Sequence, residues 1–298
     1  MRGGVILSVL LVLLVTAALL VQSGTPWIRT EDVRLHSDGV TLAATLSLPR
    51  WQQGPFPAVV IVHGSGPTKG RNQRGYVRRL VPYGVAVLLY DKRGVGGSGG
   101  TYRAVSVANS KERLGQLAED TMVAASWLAE HPEIDSQRIG LLGGSQAGWI
   151  MPLAASRSEA VRFVVSISGS AVTVGQEHHY RHLTGSDSGI PAELSAEELQ
   201  ERMVAFDGPD GYDPAWALDA MNVPSLWILG GQDLSTRTEL TVRKLQGLQE
   251  RHPGQLVFQV FPQGNHSLRE ARTGRSIDYW APIHAWLQER RIVHPPGG

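Results

Sequence analysis

The sequence predicts an α/β fold: a mostly parallel central sheet of about eight strands, with helices on both faces and a small helical cap. Short apolar runs alternate with amphipathic segments along most of the chain, which is typical of parallel strands joined by helical crossovers. Several of the runs are apolar at every position, as expected for strands buried on both faces. With 298 residues, 42% of them hydrophobic, the chain is long and apolar enough to form such a core.

An apolar segment opens the chain. A single arginine, Arg2, precedes an almost unbroken apolar run over residues 5–21, which is the design of a secretory signal. As a helix this run would span about 25 Å, close to the roughly 30 Å hydrocarbon core of a bilayer, so an uncleaved anchor is the alternative. We therefore expect residues 1–24 to be a signal peptide or an N-terminal membrane anchor. The protein is then exported, to the periplasm or the extracellular space, or attached to the membrane by this segment.

The remaining elements follow from local patterns. Residues 31–48 alternate between apolar and polar on either side of an Asp38-Gly39 turn, which predicts a β-hairpin. Later strands are predicted where a short run is wholly apolar, and helices where apolar residues recur every three or four positions. Beyond the hairpin, strands are predicted at 58–62, 85–90, 139–142, 162–167, 225–229 and 256–261, and helices at 74–81, 111–130, 149–155 and 236–252 and around 277–286.

One long interruption separates the strands predicted at 162–167 and 225–229. A structureless loop of about fifty residues is uncommon inside a compact domain, and residues 193–203 have the pattern of a helix. We therefore expect a small helical cap at about 172–222, inserted into a domain that spans 31–298.

Composition excludes several classes of site. The formal net charge is +1, so no charge imbalance points to a nucleic-acid partner. The chain has no cysteine, which rules out disulfides, thiolate metal ligands and a cysteine nucleophile. Any nucleophile must therefore come from another type of residue.

A serine lies where a predicted buried strand turns into a predicted helix. The sequence there reads Gly143-Gly144-Ser145-Gln146-Ala147, which matches G-x-S-x-G except for alanine at the last position. Small residues leave room for a sharp turn that projects the Ser145 hydroxyl above the sheet edge. The alternative is a glycine-serine turn that carries no chemistry.

This stretch, residues 138–148, resembles the nucleophile elbow of α/β-hydrolases, and the likeness extends over most of the chain after about residue 31. The motifs at 63–67, 91–99 and 143–149 are similar to those of dienelactone-hydrolase-like esterases, serine peptidases of the prolyl-oligopeptidase type and acyl-CoA thioester hydrolases. The resemblance implies an α/β-hydrolase fold. It also implies a catalytic triad in the chain order serine, acid, histidine, with each residue at the carboxyl end of a strand.

The resemblance assigns the acid to Asp233 and the base to His266, since each lies just past a predicted strand. A serine hydroxyl needs such a base, and the base needs a carboxylate to orient it. The alternatives are a helix-capping aspartate and a surface-loop histidine. The family's oxyanion hole, made of two backbone N–H groups, falls here on Ser65 and Gln146, with Gly66 as the alternate to Ser65.

These residues imply a serine hydrolase that cleaves a carboxylic ester or related acyl bond through an acyl-enzyme. The alternatives are a serine peptidase of the aminopeptidase or dipeptidyl-peptidase kind, an acyl thioester hydrolase, and a non-catalytic ligand-binding homologue. The expected partner is a small acyl substrate; no cofactor or metal is required, and the oligomeric state stays open. An apolar acyl group would find aromatic contacts in Trp149 and Trp216, although both could belong to the core.

Two further patterns are weaker. Gly94, Gly96 and Gly99 match the dinucleotide pattern G-x-G-x-x-G, but no helix is predicted to open there, so we expect Asp91 and Arg93 to stabilise this loop. His178 and His182 have the spacing of two metal ligands on one helix face, but no third ligand is evident. We expect these histidines to lie on a polar cap surface.

Overall fold

The computed structural model describes residues 27–189 and 194–293. Their strands form one eight-stranded sheet in the order β1-β2-β4-β3-β5-β6-β7-β8. The pairs β1–β2 and β2–β4 are antiparallel, and every later pair is parallel, which confirms a mostly parallel sheet of eight strands. The strands are β1 Ile28–Ser37, β2 Val40–Pro49, β3 Phe56–Val62, β4 Ala86–Tyr90, β5 Ile134–Gly144, β6 Phe163–Ile167, β7 Ser225–Gly230 and β8 Leu256–Phe261.

Helices cover both faces of the sheet. Those predicted from the sequence are present, with ends that differ by a few residues. The described part of the chain contains α1 Arg74–Leu80, α2 Ser110–Glu130, α3 Ala147–Ala155, α4 Val174–Leu183, α5 Ala196–Val204, α6 Ala215–Ala220, α7 Thr238–Arg251 and α8 Trp280–Glu289.

The expected signal or anchor segment, residues 1–24, lies outside the described residues. Within the described ranges, none of the helices combines the length and apolar character that a membrane crossing requires.

The predicted hairpin turn has the geometry that its sequence favours. Asp38 and Gly39 both have positive φ, 43° and 71°, and Ser37 pairs with Val40 across the two-residue loop. Both central residues of a type I′ turn need positive φ, and Asp-Gly tolerates it well. The turn thereby sets the register of the whole hairpin.

Strand β3 shows why its run is apolar throughout. Ala58, Val60 and Val62 pack into the core shared with α2 and α3, whereas Val59 and Ile61 face the core shared with α1 and α8. Both sets of side chains are buried because successive residues of a strand point to opposite faces. β3 also pairs with β5 up to its last residue, so the loop after β3 starts beside the serine turn after β5.

The described residues between β6 and β7 form three helices rather than the single one predicted. Thr173 and Ser195 each form a capping box, at the starts of α4 and α5 respectively. A small cluster of Tyr180, Leu183 and Met203 packs these two helices together. We refer to residues 172–222 as the cap segment.

Candidate active site

Ser145 occupies a strained turn at the carboxyl end of β5. Its φ is +57°, a left-handed conformation that is uncommon for a residue with a Cβ. Its N–H donates to the carbonyl of Ile167 at 2.9 Å, and its own carbonyl accepts from Gly148 at 2.8 Å at the start of α3. Backbone hydrogen bonds on both sides therefore hold the turn, and the side chain stays partly exposed.

Close packing explains the small residues around Ser145. A Cβ at Gly143 would lie 2.4 Å from the Val62 carbonyl oxygen and 2.7 Å from the Ala147 Cβ. A Cβ at Gly148 would lie 2.6 Å from the Cα of Gly169. The alanine at 147, which departs from G-x-S-x-G, is fully buried and is accommodated because residue 143 has no side chain.

Asp233 and His266 lie side by side after β7 and β8. His266 donates Nδ1–H to the Asp233 Oδ2 at 2.8 Å. The other carboxylate oxygen, Oδ1, accepts from the backbone N–H groups of Ser235 and Thr236 at 2.7 and 2.8 Å. One carboxylate oxygen of Asp233 therefore caps the following turn, while the other orients His266.

The surroundings of His266 favour its protonated form. Burial alone would lower the pKa of His266, but the hydrogen bond to Asp233 and the negative charges of Asp233 and Glu177 raise it above the ordinary value. Arg181 acts in the opposite direction. The imidazole side chain is 30% exposed while the Asp233 side chain is 1% exposed, so a bound molecule could contact the imidazole of His266 but not the carboxylate of Asp233.

Two cap residues, missed by the sequence reasoning, contact or influence this pair. The Tyr180 hydroxyl donates to the Asp233 carbonyl at 2.9 Å. Glu177 is buried, and burial raises its pKa to about 7, although Ser170, His266 and Arg181 partly offset this. The capping box at Thr173 signals where α4 starts, but no local pattern shows that α4 carries Glu177 and Tyr180 to the pair.

The loop after β3 lies against the serine turn. A Cβ at Gly64 would be 3.2 Å from the Gly144 carbonyl oxygen and 3.6 Å from the Ser145 Cβ. Among the described residues, no acceptor is found for the backbone N–H of Ser65 or of Gln146. Both predicted oxyanion-hole donors are therefore unused by the protein itself. Likewise, none of the hydrogen bonds in these ranges joins the Ser145 hydroxyl to His266.

His63, at the base of the same loop, has a structural role. It is 1% exposed, donates Nε2–H to the Tyr90 carbonyl at 2.6 Å and packs edge-on against the Tyr90 ring. Burial, together with nearby Lys92, lowers the pKa of His63 to about 4. A neutral, enclosed imidazole of this kind cannot serve as the base.

The glycine-rich loop after β4 is stabilised by the two charged residues predicted to hold it. Asp91 accepts from the N–H groups of Gly70 and Gly97, each at 2.7 Å. Arg93 forms a buried ion pair with Asp120 at 2.5 Å. The next helix, α2, begins only at Ser110. The loop therefore lacks the strand-to-helix turn that cradles a dinucleotide.

His178 and His182 lie exposed on α4. Within residues 27–189 and 194–293, no group of three or more His, Cys, Asp or Glu side chains is placed to hold a metal ion.

The structure does not place the two predicted substrate contacts at the site. Trp149 is 4% exposed, packs in the main core and donates its indole N–H to the Val172 carbonyl at 2.9 Å. Trp216 is exposed on α6, and the Arg157 guanidinium lies 5.9 Å from its ring centre. Arg157 follows the carboxyl end of α3, whereas Ser145 precedes its amino end, and this nine-residue helix is about 13 Å long. The sequence showed where these tryptophans lie along the chain, but not that Trp149 packs into the core or that Trp216 lies beside Arg157.

Comparisons with known proteins agree with this architecture. An esterase from Pyrococcus furiosus superposes with a TM-score of 0.63 at 18% identity, covering 88% of this chain and 91% of that one. The alpha/beta hydrolase GrgF from a Penicillium species superposes with a TM-score of 0.58 at 18% identity, covering 89% and 96%. At these identities the likeness shows the fold, which is that of the α/β-hydrolases.

Sequence relatives give the family. Esterase EstD of Thermotoga maritima is 28% identical over 281 residues, an alignment that covers 85% of this chain and 63% of EstD. The chain thus spans less than two thirds of that relative's length. The model of the prolyl oligopeptidase family matches residues 75–291, well over half of the chain. On this match the protein belongs to the prolyl oligopeptidase family.

Proposed function

We propose that the protein is a serine hydrolase that cleaves a carboxylic ester through an acyl-enzyme. The observation that carries this proposal is the 2.8 Å hydrogen bond between Asp233 and His266, at the same sheet edge as the strained Ser145 turn. An acid, a base and a serine from the ends of three separate strands are the parts that acyl transfer requires.

Each residue has a defined part in the reaction. Ser145 attacks the acyl carbonyl while His266 takes its proton, and the Asp233 carboxylate stabilises the imidazolium that results. The N–H groups of Ser65 and Gln146 donate to the oxyanion that develops on the carbonyl oxygen. His266 then returns the proton to the leaving group, and a water, activated by the same imidazole, cleaves the acyl-enzyme.

An ester is the first choice of substrate because the described relatives EstD and the Pyrococcus protein are named esterases. The match to the prolyl oligopeptidase family supports a peptide bond as the second candidate. The same machinery serves both bonds, since His266 can protonate either an alcohol or an amine leaving group.

A fluorophosphonate probe tests the proposal directly. We expect it to label Ser145 in the full-length protein, and the label to disappear in Ser145→Ala but not in Ser126→Ala, a change on the exposed face of α2. Turnover of a p-nitrophenyl ester should fall by on the order of 10⁶ in Ser145→Ala or His266→Ala. Labelling of another serine, or a loss of only a few-fold, would show that the nucleophile is wrongly assigned.

A substrate panel separates the candidate bonds. p-Nitrophenyl esters of increasing acyl length, acyl thioesters and amino-acid p-nitroanilides should be compared by kcat/KM on one preparation. We expect an ester to give the highest value. A p-nitroanilide turned over faster than every ester would make the protein a peptidase.

We also propose that residues 1–24 export the protein or attach it to the membrane, with the apolar run at 5–21 as support. Expression of the full chain followed by fractionation and N-terminal sequencing distinguishes the two. A mature protein that begins near residue 24 indicates a cleaved signal, whereas an intact N-terminus in the membrane fraction indicates an anchor. An intact chain in the cytoplasmic fraction contradicts both.

A further inference from the structure

Lys92 lies beneath the serine turn, in the loop after β4. The residue is 3% exposed. Its ammonium donates to the Gly64 carbonyl at 2.7 Å, to the Gly66 carbonyl at 3.2 Å and to the Gln146 Oε1 at 3.2 Å. All three ammonium protons are thus used, and they join the loop after β3 to the first residue after Ser145.

The contact with Gly64 has a geometric consequence. The Gly64 carbonyl and the Ser65 N–H belong to one planar trans peptide unit, so they point in opposite directions. A cation that holds the carbonyl oxygen therefore fixes the direction of the Ser65 N–H as well. The bond to the Gln146 side chain links Lys92 to the second donor residue, whose backbone is held by the hydrogen bonds of the turn after Ser145.

We propose that Lys92 is a positioning residue of the oxyanion hole, which aims the Ser65 N–H group and joins its loop to Gln146 without touching the substrate. This inference rests on the proposed function, because the two N–H groups matter only if an oxyanion forms. Preorganised donors stabilise a developing charge best when they need no rearrangement during the reaction.

The surroundings of Lys92 show that the ammonium is not held by an ion pair. Its three acceptors are uncharged oxygens. Burial, reinforced by the positive charge of Arg113 on α2, lowers the pKa of Lys92 to about 8. The neighbouring charged pair is already satisfied, because Arg93 is bound to Asp120.

The other polar neighbours add no compensating charge. Asp91 directs its carboxylate to the N–H groups of Gly70 and Gly97. His63 is neutral in the working pH range, and the Tyr102 ring centre lies 5.9 Å from the Lys92 ammonium. With a pKa of about 8, Lys92 becomes a neutral amine as the pH rises through that value. A neutral amine has two protons, so it cannot donate to all three acceptors at once.

Steady-state kinetics of Lys92→Met test the inference, with Lys244→Met, an exposed lysine on α7, as the matched control. We expect kcat on a p-nitrophenyl ester to fall by about 10²-fold in Lys92→Met, with KM changed by less than about threefold. Affinity for a boronic acid, which forms a tetrahedral adduct on the serine, should fall in parallel with kcat/KM. A purely structural lysine would not separate kcat from KM in this way.

The pH dependence gives a second readout that does not require Lys92→Met to fold. In the wild type, kcat should decline as pH rises through about 8, with hydrolysis by Ser145→Ala subtracted as the blank. Lys92→Arg should move this decline to higher pH, because a guanidinium keeps its charge.

The inference fails if kcat of Lys92→Met equals that of the wild type, or if Lys92→Arg leaves the alkaline decline in place. Its failure is distinct from failure of the proposed function. If the proposed function is wrong, the fluorophosphonate does not label Ser145 of the wild type. If only the inference about Lys92 is wrong, labelling persists and substitution of Lys92 has no effect on kcat.

Discussion

The Asp233 carboxylate divides its two oxygens between His266 and its own loop. Oδ2 accepts the Nδ1–H of His266 at 2.8 Å, while Oδ1 accepts two backbone N–H groups from Ser235 and Thr236. The loop bonds prevent the carboxylate from rotating. The imidazole is therefore held in the tautomer that leaves Nε2 free to accept a proton.

Asp233→Asn should abolish most of the activity without unfolding the protein. The asparagine Oδ1 can still accept the two loop N–H groups, which leaves its amide NH₂ facing His266 and favours the wrong tautomer. We expect kcat on a p-nitrophenyl ester to fall by about 10⁴-fold, as in triads generally. Asp278→Asn, which alters an exposed aspartate before α8, serves as the control. A loss below tenfold in Asp233→Asn would mean that this carboxylate does not orient the base.

Glu177→Gln should move the acid limb of the pH profile to lower pH. Glu177 has a pKa of about 7, so it carries its negative charge in the upper part of the acid limb, and there the charge helps to raise the pKa of His266. The base acts only when its imidazole is neutral. Removing the charge lets the imidazole lose its proton at lower pH. The measurement is kcat/KM between pH 5 and 8, with Glu201→Gln on the exposed side of α5 as the control. A limb that stays in place, or moves upward, contradicts the proposed coupling.

Gly143→Ala should destabilise the fold, because its Cβ would enter the space of the Val62 carbonyl and the Ala147 side chain. We expect a loss of about 1–3 kcal/mol in the free energy of unfolding, measured by urea titration. Gly115→Ala is the matched control, since nothing lies within 4 Å of a Cβ added there in the middle of α2. It should instead stabilise the protein by about 0.5–1 kcal/mol. Equal effects at the two sites would show that close packing is not the cause.

Asp120→Asn should destabilise the protein strongly. The Asp120 side chain is fully buried. Replacing its carboxylate by a neutral amide leaves the Arg93 guanidinium buried without a counter-charge. A loss of about 3–5 kcal/mol is expected when one partner of a buried pair is removed. Asp219→Asn breaks an exposed pair with Arg251 and should leave the urea midpoint unchanged. The idea that Arg93 and Asp120 stabilise the loop fails if both variants unfold at the wild-type midpoint.

Elements with a strong local period could be predicted from the sequence. The wholly apolar run of β3 and the Asp-Gly turn of the hairpin have the predicted structure, because each depends on adjacent residues. The start of strand β5 could not be predicted in this way. The sequence predicts the strand at 139–142, whereas it begins at Ile134. Asp135, Ser136 and Gln137 precede the apolar run, and the register between β3 and β5 shifts there, so no period marks this part of the strand.

Some residues of the candidate site could be predicted from the sequence and others could not. Ser145, Asp233 and His266 could be named because residue type, chain order and a preceding strand are all visible in the sequence. Glu177 and Lys92 were not assigned roles at the site, and Trp149 and Trp216, predicted as substrate contacts, pack in the core and beside Arg157 respectively. Their positions depend on how helices and loops distant in the sequence pack together, and side-chain type does not contain that information.

By itself the sequence determined the order of strands and helices, the serine turn and the residue types able to carry acyl transfer, since these follow from short-range periodicity and steric demand. Only the tertiary structure decided which side chains meet. Lys92 bonds Gln146 across 54 positions, and Asp233 bonds His266 across 33. Such contacts depend on the spatial order of the strands, which sets the neighbours of each loop at the sheet edge.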